Sequence, residues 1–366
     1  MCQRSGYRNK RHEILASCPV FSPQGEGSGE RNFESITGPE NVYPLFRPFL
    51  SLMAAYLFKR IVILFVTLIV VSMTIFAVLM VIPGDPAQIV LGIHATPETL
   101  QELRHKMGLD RSVSAQYLSY MKNLATGDLG RSITYDVSIH SLILSRLQVT
   151  VPLATLSMIF AIFLSIPMGI YSALHRNRPG DYGIMVFSQI GLAVPAFWAG
   201  ILLILLFAVT LHWLPAGGFQ PWGGDPVKAL GSLLLPALSL GFVRAAVLTR
   251  MTRSSMLEIL EEDYVRTARS KGLSERAVVY KHAFRNAIIP VITIVGLQAG
   301  DLLAGAIIIE NVFHLPGVGR LVFEAIGQRD LPVVQGVVLF VAVLIVVINF
   351  LTDIAYAYLD PRIRYD

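Results

Sequence analysis

Residues 61–82 read IVILFVTLIVVSMTIFAVLMVI, 22 positions without a charge, preceded by Lys59 and Arg60 and followed by Pro83 and Gly84. At 1.5 Å rise per residue, a helix of about 20 apolar residues crosses a hydrocarbon core of about 30 Å. The stretch therefore predicts a transmembrane helix, and its basic start belongs on the cytoplasmic side. Further apolar blocks fall at 149–174, 182–211, 229–247, 287–309 (interrupted by Asp301) and 333–352. Only 15% of the 366 residues are charged and 54% are hydrophobic, against about 25% charged in an ordinary soluble domain. The apolar residues are gathered in blocks instead of spread through a core, which excludes a typical cytosolic enzyme. The expected fold class is an all-α membrane protein with six spans.

The net charge of +5 and pI near 9.2 matter less than where the basic residues sit. His175, Arg176 and Arg178 separate spans two and three, and a strongly basic loop from Arg244 to Arg285 separates spans four and five. Basic loops mark the cytoplasmic face, so six spans with both termini inside satisfy the pattern and no nucleic-acid partner is needed. Cys2 and Cys18 both lie in the polar tail without CxxC spacing, and the histidines are scattered, so neither a disulfide nor a metal site is expected. No HExxH, GxSxG or GxxxxGK[ST] pattern occurs; with no phosphate loop, the chain carries no nucleotide site of its own. No cofactor is expected. Residues 1–52, rich in Gly, Ser, Pro and charge, are expected to be disordered, or to precede a natural start at Met53. The domain proper is 53–366.

The first external loop, 83–148, should be partly helical. Thr96 suits an N-cap, Pro97 the first turn, and Leu100, Leu103 and Met107 share a face before Gly108. A second ordered turn is expected at GDLGRS, 127–132, where paired glycines permit left-handed backbone.

The cytoplasmic loop, 248–286, contains DYVRTARSKGLSERAVVYKHAFRNAIIP from Asp263 to Pro290. Tyr264 and Ala268 lie one helical turn apart. Gly272 can end that helix in the left-handed conformation, Lys271 suits its negative end, and Ser274 with Glu275 can open the next helix. Two short helices meeting at a corner are predicted, with small Ala268 and Gly272 leaving room for a close partner. On the residues alone, a solvated basic connector and a docking elbow both fit.

This segment resembles the EAA coupling loop of binding-protein-dependent ABC importer permeases, in the form used by the dipeptide, oligopeptide and nickel subfamily. The resemblance covers 53–366 and includes PGDPA at 83–87, MGLD at 107–110, QYLSYMKNLATGDLGRS at 116–132, ENVFHLPGVGRL at 310–321 and YLDPRIR at 358–364. The sequence departs from the motif at Arg266, where a leading Glu is usual, and at Thr267, where the first Ala is usual. The resemblance implies a type I importer permease fold in a bacterial inner membrane. It also implies that ATP hydrolysis resides on a separate cytoplasmic ATP-binding subunit, with a second permease subunit as a heterodimer partner and a periplasmic or lipid-anchored solute-binding protein. ATPase coupling then falls to Asp263, Tyr264, Ala268, Gly272 and Leu273. The cargo would be a peptide or a related small solute.

Two carboxylates lie in or near span five, Asp301 about mid-span and Glu310 near its outer end. Each costs about 2.5–3.5 kcal/mol in hydrocarbon, so each is expected to face protein or a water-filled pathway, and both are translocation-pathway candidates. They also define the alternative, an ion- or proton-coupled secondary transporter, although no internal repeat supports it. A membrane enzyme would need a convergent catalytic set, and none is visible. Helix breakers within the spans (Pro152, Pro167, Pro195, Pro236, Pro290) and small residues (Gly191, Gly200, Gly296, Gly300, Gly305) are expected to serve packing and to offer faces in spans three and five to a partner subunit and to lipids.

Overall fold

The computed structural model describes residues 43–81, 86–91, 96–106 and 108–359. Residues from Ala55 onward form one compact unit. Among the described residues the chain is helical apart from turns and one isolated antiparallel bridge, Arg131 to Ser138. Helix α1 (Tyr43–Val81) contains the first span. The disorder expected for 1–52 lies outside the described residues as far as 42, but residues 43–52 are helical: after Pro48 the sequence FLSLMAAYLFKR has nothing to stop a helix propagating back from the span. Short helices α2 (Pro86–Leu91), α3 (Pro97–Lys106) and α4 (Val113–Ala125) come next. The Thr96 hydroxyl accepts the Thr99 N–H, and Gly108, Gly127 and Gly130 all adopt positive φ, as their places at turns require.

The long helices are α5 (Ile139–Leu174), α8 (Pro226–Leu260), α11 (Phe284–Val312) and α13 (Leu331–Leu359). Between α5 and α8, the stretch expected as one span is two helices, α6 (Pro179–Ala193) and α7 (Ala196–Leu203), the second continued by a wide π-type segment to Thr210; they bend by 105°. Pro195 supplies the physical reason. It cannot donate a hydrogen bond and pushes Val194 into extended backbone, ψ 121°, so the helix ends there. Among the described residues five helices are long and apolar enough to cross a membrane, and six spans result when the bent pair counts as one. Helix α8 continues as a single rod 13 residues into the 248–286 segment expected to be loop. Two short helices complete that segment: α9 (Asp263–Ser270) and the three-residue α10 (Glu275–Ala277), which runs through a π-type turn, Val278–Ala283, into α11. Amphipathic α12 (Val318–Gly327) lies between α11 and α13.

Helices associate in a membrane through close packing because lipid is as apolar as leucine. Helices α5 and α8 form the central pair, and glycine lets them approach. A Cβ on Gly241 would stand 2.7 Å from the Ser157 carbonyl oxygen, and one on Gly169 would strike Thr252. Leu153, Leu233, Leu240, Leu302, Ile309 and Phe313 fill the space between α5, α8 and α11. The small residues expected to greet a partner subunit are used inside the chain instead: Gly191 packs on Ala246, Gly200 on Phe313, Gly296 on Thr352 and Gly300 beside Asn349. The GxxxG of span five therefore seats α11 on α13.

Candidate functional site

The segment joining α8 to α11 folds as an elbow seated on the bundle. Val265 and Ala268 of α9 are buried with Val278, Val279 and Ala283 against Ile170 and Ala173 of α5 and Met256 of α8. The small size of Ala268 admits the chain's own helices, which revises its expected service to a partner. Gly272 has φ +76°, with nothing within 4 Å of where a Cβ would sit. The corner is left-handed and open to solvent. Asp263 and Leu273 are exposed, and Tyr264 sits at the rim, where its hydroxyl accepts from the Asn286 amide at 2.8 Å. Arg269 donates two hydrogen bonds, 2.9 and 3.3 Å, to Glu275 across the Gly272 corner and ties α9 to α10. Ser274 occupies the N-cap position of α10, but its side chain makes no capping bond. The arrangement is a projection on a packed base that joins α8 to α11.

At the opposite end of α11, Glu310 is fully buried. It accepts from the Thr150 hydroxyl at 2.6 Å and from the Gly319 and Arg320 N–H groups at 2.7 and 3.2 Å, while Thr150 Oγ1 accepts the Val318 N–H at 2.9 Å. Three first-turn donors of α12, which no carbonyl of its own helix can satisfy, are thereby matched. Gly317 is necessary there because a Cβ would overlap the Glu310 carboxylate. The ENVFHLPGVGR segment is thus a turn built around a buried carboxyl group, and Glu310 is withdrawn from any open passage.

Asp301 is placed differently. Its side chain is 72% exposed, with one ion pair to Arg244 of α8 at 3.5 Å. On α11 the exposed positions Leu297, Asp301, Ala304 and Ile308 form a single stripe, the 3.6-residue repeat of one helix face. Asp301 is the one carboxylate in that otherwise apolar stripe.

Two polar clusters leave no mark in the local sequence. Asp181 of α6 is buried and accepts from Arg253 of α8, from the Ser172 hydroxyl and from the Asn177 N–H. Asp330, ahead of α13, accepts from the Ser132 hydroxyl at 2.5 Å and the Thr134 N–H at 3.0 Å. Burial would raise the Asp330 pKa, but these donors, Ser132 foremost, outweigh it and hold the carboxyl below its ordinary value. Between α6, α8 and α11, nearer the elbow, lies a cavity of about 600 Å³ lined by Met185, Leu192, Met251, Ile294 and Arg250 among others. No three-residue His, Cys, Asp or Glu group suited to a metal occurs among the described residues.

Known proteins share both the sequence and the helical plan. Residues 165–365 match the family of binding-protein-dependent transport system inner membrane components, and 53–154 match its N-terminal companion. The chain belongs to this family. It is 41% identical over 334 residues to the dipeptide transport system permease protein DppB of Alkalihalophilus pseudofirmus, covering 86% of this chain and 100% of that one. It is 41% identical over 313 residues, with the same coverage, to the glutathione transport system permease protein GsiC of Escherichia coli O6:H1. Among solved structures, the MetNI methionine ABC transporter in inward-facing conformations matches with a TM-score of 0.50 at 16% identity, over 60% of this chain and 96% of that one; this shows a shared importer-permease fold. The chain is accordingly a multi-pass inner-membrane permease subunit of an ABC importer and not an enzyme, with the ATPase on a separate subunit. The ion-coupled alternative finds no support in these relatives.

Proposed function

We propose that this chain conducts peptides. It would supply half of the pathway beside a second, related permease in a heterodimer, surrounded by membrane lipid, with N- and C-termini in the cytoplasm. The peptide reading draws on the relatives, named for dipeptide and glutathione transport. A periplasmic or lipid-anchored binding protein delivers the cargo at the α12 end, and cytoplasmic ATP-binding subunits grip the elbow. The observation that carries the coupling role is the Gly272 corner: open, left-handed, braced by Arg269–Glu275 and seated on α5 and α8. Asp263, Tyr264, Gly272 and Leu273 form the presented surface, and Ala268 fits its underside to the bundle. Packed helices move as bodies, so such a projection delivers an ATPase displacement where a soft loop would absorb it. Within the pathway, Asp301 is the exposed polar group and Glu310 a support for the outer turn.

The test is Gly272→Phe in the reconstituted importer. A side chain at φ +76° is strained and fills the open corner, so solute uptake should fall at least ten-fold while membrane insertion is unchanged. Wild-type uptake by that variant would remove the docking role from the elbow.

A further inference from the structure

We infer that α8 and α11 carry a two-ended subsite for short zwitterionic peptides, in which Asp301 receives the α-ammonium and Arg250 the α-carboxylate. The inference rests on the peptide-permease reading above and deepens it. Asp301 offers its carboxylate on the exposed stripe of α11 and, among the described residues, is ion-paired with Arg244 alone, whose own side chain is 20% exposed and so is largely withheld from a passing solute. Arg244 is thus a positioning residue, aiming the carboxylate, and most of the Asp301 oxygen surface is free for a cationic group.

The opposite charge lies toward the elbow. Arg250 is exposed, lines the cavity, and no ion pair is found for it among the described residues. It comes six residues after Arg244 on one uninterrupted helix, an axial offset of about 9 Å. Ile294 in the cavity wall lies seven residues before Asp301 and Met251 seven after Arg244. On α11 the cavity wall thus begins two helical turns, about 10 Å, from the charge pair, whereas on α8 it begins one turn away, at Val247, and includes Arg250. An extended chain spans at most about 3.3–3.6 Å per residue, so two or three residues bridge this gap from amino to carboxyl end. The cavity volume of about 600 Å³ accommodates their side chains, and its wall suits variable ones. Met185 and Met251 are unbranched thioethers that repack around different shapes, so the ends are read by charge and the middle is tolerated.

The experiment uses the complete importer in proteoliposomes, with its binding protein and ATPase, and three labelled tripeptides: trialanine, N-acetyl-trialanine and trialanine amide. For each peptide the variant is compared with the wild type, so the binding protein's own preference cancels. Asp301→Asn should lower uptake of trialanine and its amide at least ten-fold and leave the N-acetyl form within two-fold. Arg250→Gln should lower trialanine and the N-acetyl form and spare the amide. Arg250→Lys, which keeps the charge, should restore the carboxylate preference. Equal losses for all three peptides, or none, would overturn the subsite. Arg250 is exposed, so its variants decide the matter alone if Asp301→Asn fails to assemble. A wild-type importer that takes up none of the three refutes the peptide reading itself, a different result from equal losses in the variants.

Discussion

Arg253 donates two hydrogen bonds, 2.7 and 2.8 Å long, to the two oxygens of Asp181, whose residue is 2% exposed. The pair ties the turn between α5 and α6 to the shaft of α8, close to where α8 enters the elbow. Removing the cation leaves a buried anion with only a hydroxyl and one N–H for company. Arg253→Met should therefore destabilise the detergent-solubilised protein by about 3 kcal/mol, the lower end for breaking a buried pair. Asp181→Asn, which retains a neutral acceptor, should cost less. Thermal unfolding of both variants checks the order.

Glu310 accepts three hydrogen bonds, and an amide cannot accept them all. In Glu310→Gln the new NH₂ either opposes the Gly319 N–H or meets the Thr150 hydroxyl, whose proton must then turn to the Arg146 carbonyl 3.5 Å away; either weakens the cluster, at a cost of about 1–3 kcal/mol. Faster proteolysis between 314 and 320 should report the loosened turn. Unchanged protection would show that the Glu310 carboxyl group is not what anchors α12.

The Asp330 carboxyl is held below its ordinary pKa, so its contribution is complete above the unfolded value, near 3.9, and is lost as pH falls through the lower folded value. Hydrogen exchange at Ser132 and Thr134 should be steady from about pH 8 to about pH 5, after correction for intrinsic rates, and opening should increase below about pH 4. In Asp330→Asn that acid dependence should vanish.

Gly241 faces a carbonyl that belongs to the α5 backbone and cannot swing aside. Gly241→Ala should force α5 and α8 apart and cost about 1–3 kcal/mol, as overpacking does. Gly300→Ala meets only side-chain atoms at 3.3 Å or more and should be milder. A melting comparison of the two separates backbone contact from side-chain contact.

Exposed pairs add little to stability, about 0.2–1 kcal/mol, so Glu275→Gln should melt close to wild type. Its effect belongs in coupling: with Arg269 released, the elbow bends under load, and ATP consumed per solute carried should rise.

Much of this architecture is written in local patterns. Apolar blocks located the spans, Thr96 and Gly108 bounded α3, and Gly272 marked the corner, because each of these depends on a few adjacent residues. The break at Val194–Pro195 was present as a proline, but prolines 152, 167, 236 and 290 remain inside helices, and only tertiary packing decides which one ends its helix. The length of α8 was obscured because the charges after Leu248 resemble loop, whereas Thr252, Ser255 and Met256 are buried against neighbours. Asp181 with Arg253 and Asp330 with Ser132 are separated by 72 and 198 positions, and no local spacing foretells such pairings. Asp301 and Glu310 looked alike as intramembrane carboxylates; the glycine at 317 and the hydroxyl at 150 make one a buried anchor and leave the other exposed.

Helix α8 runs unbroken for 35 residues, about 52 Å at the standard rise. A rod of that length pivoting near its middle moves its two tips in opposite directions, so a tilt of about 5° carries Leu260 and Pro226 about 2 Å each in opposite senses. On such a pivot, opening at one end of α8 and closing at the other would be a single see-saw motion.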